Sequence, residues 1–306
     1  MNLNPRSAMN KIEEIKTFIE EEDIDLAIIS ESHDRENKRL EDHINLKNHI
    51  VISNLYQRPT KEKGGRPAII ANKDKYEIEN LTSLTITIPW GVEITWALLT
   101  PKHTSKDSII KKIVVGALYV KPSSKKKSAL IDHIAEVYNM LQAKYVKGLF
   151  WVLAGDTNDL KLGPILRLNS NLKSVVKEPT RLNPKNPQNS SILDNIITDM
   201  HKWYQTPECL PPINADIGQG KPSDHLTVIF KPISVVNNLP LRRKRDIITR
   251  PITESGLSLF SMWLEEQDWE TVKNAHSVNT KTILLHQTIT DQVNSAFPQK
   301  NIKTHN

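Results

Sequence analysis

The stretch Phe150-Trp151-Val152-Leu153-Ala154-Gly155-Asp156-Thr157-Asn158 starts as an apolar run and ends in polar groups. A run of this length, residues 150–154, fits a short strand buried in a sheet better than a helix. Gly155 permits a sharp turn where the chain leaves the sheet. Asp156 and Asn158, two residues apart, stand on that turn. Taken alone, the pair is most simply an Asx turn.

The same pattern recurs outward in both directions. Leu26-Ala27-Ile28-Ile29 delivers Ser30 and Glu31, so a carboxylate would stand at a sheet rim with its backbone anchored by the core. Ser223-Asp224-His225 follows Gly220, Lys221 and Pro222 and runs directly into a strand at 226–230. Each group alone is most simply a surface residue, but three such strand-end sets seldom coincide by accident. Phosphodiester hydrolysis needs this kind of chemistry: a cation for the phosphate, a base or positioning group for water, and donors for developing charge. Oxygen ligands suit magnesium for the first task.

Further strands are expected at 50–53, 68–71, 84–88, 92–99, 113–119 and 192–197. Helical spacing appears in Ile12, Ile15, Phe18 and Ile19, and again in Leu130, Ile134, Val137 and Leu141. Many strands with few intervening helices argue against a doubly wound sheet. The expected class is α/β (α+β): two packed, mainly antiparallel β-sheets flanked by helices, a four-layer α/β sandwich with a short helical C-terminal extension. Pro232, Pro240 and Arg242-Arg243-Lys244-Arg245 read as a linker. The boundary is therefore expected near 235, giving a main domain at 1–235 and a basic linker plus helical extension at 236–306. Leu257, Phe260 and Leu264, then Leu285, Ile289, Val293 and Phe297, mark two helices too short to build a core of their own.

Composition narrows the classes. With 306 residues and 38% hydrophobic content the chain can bury a substantial core, which excludes a mostly disordered protein. Cys209 is the single cysteine, so an internal disulfide is excluded, and no Cys/His grouping has zinc-site spacing. No apolar run reaches the roughly 20 residues of a membrane span, and the opening residues lack a secretory pattern. A soluble protein of the nucleus or cytoplasm, without a membrane partner, is expected. The net charge of +6 favours polyanionic partners.

Glu31, then Gly155-Asp156-x-Asn158, then Leu193-Asp194-x-Ile196-x-Thr198, then Ser223-Asp224-His225 is an order that resembles the endonuclease/exonuclease/phosphatase (exonuclease III-like) family, over roughly residues 2–232. Asn4 with Arg6-Ser7 and Asn10-Lys11 resembles the opening motif of retrotransposon endonucleases, and Gly64-Gly65-x-x-Ala68-Ile69 their glycine-rich approach to a strand. Gly116-Ala117-Leu118-Tyr119-Val120-Lys121-Pro122 is similar to the family's Tyr-bearing strand. The resemblance implies that Glu31 binds magnesium, with Asn4 beside metal and phosphate and Asp224 supporting the metal shell; manganese is an expected substitute. Asp156 would position or deprotonate water. Asn158 and His225 would donate to the phosphate, with Asp194 orienting His225. Tyr119 would assist the leaving oxygen or hold a phosphate, although strand packing also explains it. Ser223 and Thr180 would contact the site or the DNA backbone. His33, Asp34 and Asp159 fall just beyond the family's positions and are expected to be solvated turn residues.

Two departures from the pattern are Glu31-Ser32-His33, where many relatives have Glu-Thr-Trp, and Thr157, where many have Phe. Only Met1, Asn2 and Leu3 precede Asn4, so the family's first strand is expected to be missing. Glu178-Pro179-Thr180-Arg181 ahead of Ile192-Leu193-Asp194, with Trp263, Asp268-Trp269 and Ala296-Phe297-Pro298 in the tail, resembles the endonuclease domain of non-LTR (LINE-type) retrotransposons rather than an abasic-site repair enzyme. This implies an endonuclease that nicks target DNA, with a reverse transcriptase domain in the same parent polyprotein. Two alternatives stay open: a phosphatase or phosphodiesterase of the same fold acting on a small molecule or lipid, and a decayed, non-catalytic DNA-binding fragment. Lys125-Lys126-Lys127 reads either as a grip on DNA phosphates or as a solvated helix start. Arg242–Arg245 reads as a nucleic-acid or nuclear-import segment or as plain linker.

Overall fold

Apolar runs that are short yet almost unbroken fold as the inner strands of two stacked sheets, because their residues must face a core on either side. The computed structural model describes residues 1–33, 39–53, 65–84, 86–103, 108–183, 187–213, 223–233, 246–249, 252–298 and 300–303. The chain divides into two compact units, Met1–Ser234 and Val235–Asn306.

In the first unit the strands are β1 (Asn2–Leu3), β2 (Leu26–Ile29), β3 (His49–Ser53), β4 (Ala68–Asn72), β5 (Tyr76–Asn80), β6 (Ile94–Pro101), β7 (Lys112–Tyr119), β8 (Leu149–Asp156), β9 (Lys173–Ser174), β10 (Asp194–Thr198), β11 (Glu208–Leu210) and β12 (Thr227–Ile229). One six-stranded sheet has the order β11-β12-β1-β2-β4-β3, the other β5-β6-β7-β8-β10-β9. Each is antiparallel except at one pair, β1 with β2 and β7 with β8. Those parallel pairs need crossovers, supplied by α1 (Ile12–Glu21) and α4 (Lys127–Lys144), while the short helices α2 (Leu40–His43) and α5 (Gly163–Leu166) lie in other connections. The result is the helix-flanked double sheet that the strand count implied.

Alternation along the strands builds three apolar layers. Ile28, Ile69, Ala97, Val115, Ala154 and Val228 meet between the sheets. Their chain neighbours Ala27, Ile29 and Ile70 turn the other way onto Ile15 and Ile19 of α1. Val114, Trp151 and Leu153 turn outward onto Ile134 and Val137 of α4.

Two expectations change. Of the stretch expected as a strand at 84–88, the described residues form none: Leu84 closes a short helix, α3 (Leu81–Leu84), and 86–88 carry no strand. The Asn80 side chain accepts a bond from Thr82 N at 3.0 Å, a local cap that outcompetes the ladder. The edge strand lies earlier, at β5, whose Tyr76-Glu77-Ile78-Glu79-Asn80 alternates between half-buried and exposed residues. The first strand, expected to be missing, is present as β1 and sits centrally, with Asn2 opposite both Ile28 and Val228. Two residues suffice because both neighbours pair with it. Among the described residues no helix is long and apolar enough to cross a membrane.

The second unit carries α6 (Glu254–Glu266), α7 (Glu270–Lys273), α8 (Val278–Ala296) and a pair of strands, β13 (Asp246–Thr249) with β14 (Lys300–Lys303). Thr253 and Ser277 cap α6 and α8 by accepting bonds from Gly256 N and Thr280 N. Phe260 stacks near Trp263 and Phe297, and Trp263 meets Trp269 edge-on. The tail tryptophans thus pack the helices. Gly64, Asp34, Gly220 to Pro222 and Arg242 to Arg245 lie outside the described residues.

Candidate active site

Strand ends bring the polar groups together. Glu31 follows β2, Asn4 follows the adjoining β1, Asp156 closes β8, and Asp194 opens β10 directly opposite Asp156. Gly155 makes the last step possible: its φ is +147°, and a Cβ there would stand 1.9 Å from the Leu118 carbonyl oxygen. Only glycine suits that position.

Asn4 links the two sheets. Its Nδ2 donates to Glu31 Oε1 at 3.1 Å and to Asp156 Oδ2 at 2.8 Å, and its Oδ1 accepts from Arg6 N at 3.0 Å. Asp156 N donates to Ser30 Oγ at 2.8 Å, tying the end of β8 to the end of β2. Asn158, at φ +42°, donates its backbone N–H to Asp156 Oδ1 at 3.0 Å and its side-chain amide to Val120 O at 2.8 Å. This is the Asx turn, and it holds Asn158 beside the aspartate.

His225 Nδ1 lies 2.7 Å from Asp194 Oδ2, both buried. On the other side of the ring, Nε2 is 3.9 Å from Asp224 Oδ1. Asp156, Asp194 and His225 offer atoms all within 4.8 Å of one another. Burial acts first on every charge here. It raises Asp156, and the neighbouring Asp194 adds to this, so the carboxyl is pushed up to about 7. Burial would lower His225, but the bond and charge of Asp194, with Asp156 and Asp224, hold it above its ordinary value. Burial would raise Glu31, but hydrogen bonds from His33 and Asn4 bring it below its usual range.

Hard oxygen donors converging from two sheets fit a divalent cation. Asp194 Oδ1 is buried without a hydrogen-bond partner, Asp156 is held toward its neutral form by burial and then by the like charge of Asp194, and Glu31 keeps 16% of its side chain open to solvent. A bound cation would relieve the first two strains and could arrive past the third.

No protein-family description matches the sequence, and no curated protein does. Solved structures match. The endonuclease domain of TRAS1, a telomere-specific non-LTR retrotransposon, is 15% identical, with 76% of this chain and 95% of that domain covered and a TM-score of 0.50. A 3'-5' exonuclease, NExo from Neisseria meningitidis, is 12% identical over 76% of this chain and 98% of its own, with a TM-score of 0.52. The AP endonuclease LMAP from Leishmania major is 12% identical over 76% and 86%, also at 0.52. The chain has the endonuclease/exonuclease/phosphatase fold. At these identities the likeness is one of fold.

Within this endonuclease/exonuclease/phosphatase fold, Glu31, Asn4, Asp156, Asn158, Asp194 and His225 gather in one connected set. Thr180 and Ser223 are buried and engaged rather than facing outward. Thr180 Oγ accepts from Leu193 N and Asp194 N at 3.0 and 2.9 Å, and its carbonyl accepts from Leu226 N at 2.6 Å, so it fixes Asp194 relative to His225. Ser223 Oγ donates to Asn4 O at 2.6 Å and accepts from His225 N at 3.1 Å. Asp224 is bound by Arg6 Nε at 3.2 Å and Arg181 Nε at 2.9 Å, which places it at the rim between two guanidiniums. Tyr119 ends β7 in register with Asp156, its ring against Gly65.

Four residues gain a place that sequence reasoning did not assign. Ser30 anchors Asp156, and its signal was its position at the end of an apolar strand. His33, set aside as a turn residue, has Nε2 3.0 Å from Glu31 Oε2. Arg6 and Arg181 lie in motifs already quoted, but no spacing pairs them with Asp224. Asp159 is a surface partner of Lys127.

Proposed function

We propose that this chain is a magnesium-dependent phosphodiesterase that nicks DNA, of the kind carried by non-LTR retrotransposons. The observation that carries it is one connected cluster, in which Asn4 joins the Glu31 and Asp156 carboxylates and the Asp194–His225 pair stands within 4.8 Å of Asp156. Glu31 would hold the ion, with Asn4 beside metal and phosphate and with manganese as a substitute. Magnesium bound there supplies charge neutralisation for the phosphate.

This chain's own groups do the rest. Asp156, which burial and the charge of Asp194 raise in the metal-free site and which a bound cation would return toward its ionised form, would position or deprotonate the attacking water. His225, which burial would lower but Asp194 holds above its ordinary value, would donate through Nε2 to a phosphate oxygen, since Asp194 occupies Nδ1. Among the described residues no serine accompanies the Asp–His pair at Nε2, so the histidine would serve as donor rather than as a base for a side-chain nucleophile. Asn158 has a second amide hydrogen for the same phosphate, and Tyr119 would assist the leaving oxygen. Asp224 would act on the site through His225 and through the arginines it holds. Ser223 and Thr180 would position the donor groups, and Arg6 and Arg181, each half exposed, would meet flanking phosphates.

DNA as substrate is supported by the fold shared with the TRAS1 endonuclease domain and by the net charge of +6. Residues 236–306 would form the extension that leads toward a reverse transcriptase in the parent polyprotein, and the site of action would be the nucleus. Supercoiled plasmid incubated with the protein and magnesium or manganese, but not with a chelator, is expected to become nicked circles. Phosphate release from an inositol phosphate panel with the plasmid left closed would select the small-molecule alternative, and tight DNA binding without cleavage in either metal would select the non-catalytic one.

A further inference from the structure

We propose that a cleft beside this site holds one unpaired nucleotide of the substrate strand, its base stacked on Trp90 and its phosphates against Lys125 and Lys126. The inference rests on the nuclease function proposed above. Pro89 to Val92 form a tight turn, with Val92 N donating to Pro89 O at 3.1 Å and Gly91 at φ +78°. Positive φ at the third position makes this a type II turn, which throws the second residue, Trp90, out at the corner. Trp90 is 64% exposed, whereas Trp96 and Trp151 of the same sheet are 0% and 1% exposed. Leaving a large flat ring in water forgoes its burial, so the arrangement suits a partner that supplies the missing face.

The turn is fixed to the catalytic end of the sheet. Glu93 O accepts from Tyr119 N at 3.1 Å, and Tyr119 pairs in register with Asp156. Lys126 lies over the turn, its stem 3.5 Å from where a Cβ on Gly91 would stand. The cleft, about 350 Å³, is lined by Trp90, Tyr119, Lys121, Lys125 and Lys126 among others, a size within the ordinary range for small ligands, about 300–1,000 Å³. Glu93, the acid among the lining residues, is buried and accepts from Arg66 N at 2.9 Å. Lys127 is taken by Asp159. What faces the cleft is therefore an aromatic plate with cations beside it, the combination that accepts a base and its phosphates.

Fluorescence anisotropy of labelled DNA in a chelator, which stops cleavage, tests the assignment with the full chain. Wild type is expected to bind a duplex carrying one unpaired nucleotide more tightly than the fully paired duplex. Trp90→Ala should lose about 10-fold on the first and little on the second, and Trp90→Phe should retain the preference. Lys125→Ala with Lys126→Ala should weaken both complexes and reduce the slope of log affinity against log salt by about one to two. Thermal melts establish that each variant folds. Trp90→Ala binding both duplexes as wild type does, or losing equally on both, would overturn the nucleotide site. If plasmid is still nicked in that case, the nuclease function stands and only this inference falls; if wild type neither binds nor nicks DNA, both fall.

Discussion

Asp156 and His225 set how the site answers to pH. A carboxyl that is raised from 3.8 to about 7 by folding binds its proton more tightly in the folded state, so stability falls as pH climbs through that window. His225, also raised, contributes stability that is complete below its unfolded value of 6.5 and is lost as pH rises through its folded value. Glu31 and Asp224, both lowered, act in the opposite sense, but only at acid pH, below about 4.5. The Met1 amino group, lowered by burial from 8.0 to about 5, gains stability from pH 5 to pH 8 and opposes Asp156 and His225, so the effect of Asp156 is read against a variant: metal-free Asp156→Asn should gain stability relative to wild type as pH rises from 5 to 8. Melts in a chelator check this; an Asp156→Asn profile that runs parallel to the wild-type one opposes it. Magnesium binds ionised carboxylates, so the stabilisation it adds should grow from pH 5 to pH 8. At this scale the residues of the candidate site were legible in the sequence, because Glu31, Asp156 and His225 each stand at a strand end. Their partners were not: Ser30 reaches Asp156, and Arg6 reaches Asp224, only after distant strands pair.

Strand ends deliver the groups, so defects in single elements should be felt at the site. Gly155→Ala forces a Cβ onto the Leu118 carbonyl, and a loss of several kcal/mol is expected; chemical denaturation that finds the variant as stable as wild type would contradict the geometry. Thr180→Ala removes the acceptor for two backbone N–H groups, that of Asp194 buried and that of Leu193 partly so, and should cost about 1–3 kcal/mol, with Thr180→Ser restoring most of it. An alanine variant with an unchanged denaturation midpoint would show that the latch is idle. The buried strands were legible because runs such as 26–29 and 150–154 are apolar without break. The strand expected at 84–88 failed because Asn80 caps a local turn, a competition that apolar content does not reveal. β1 was missed because two residues carry no periodicity, and its place is set by β2 and β12 on either side.

The whole molecule separates fold from extension. All three apolar layers are built from residues no later than Phe230. Residues 1–234 expressed alone should therefore keep a cooperative melt and the nicking activity; loss of cooperativity on removing 235–306 would show that the layers need the second unit. The most direct test of the central account is the rate at which supercoiled plasmid is nicked in magnesium by wild type, Glu31→Ala and His225→Ala. The account predicts nicking by wild type and a fall of at least about 100-fold in each variant. It would be contradicted by closed plasmid in every lane, or by variants that nick as fast as wild type.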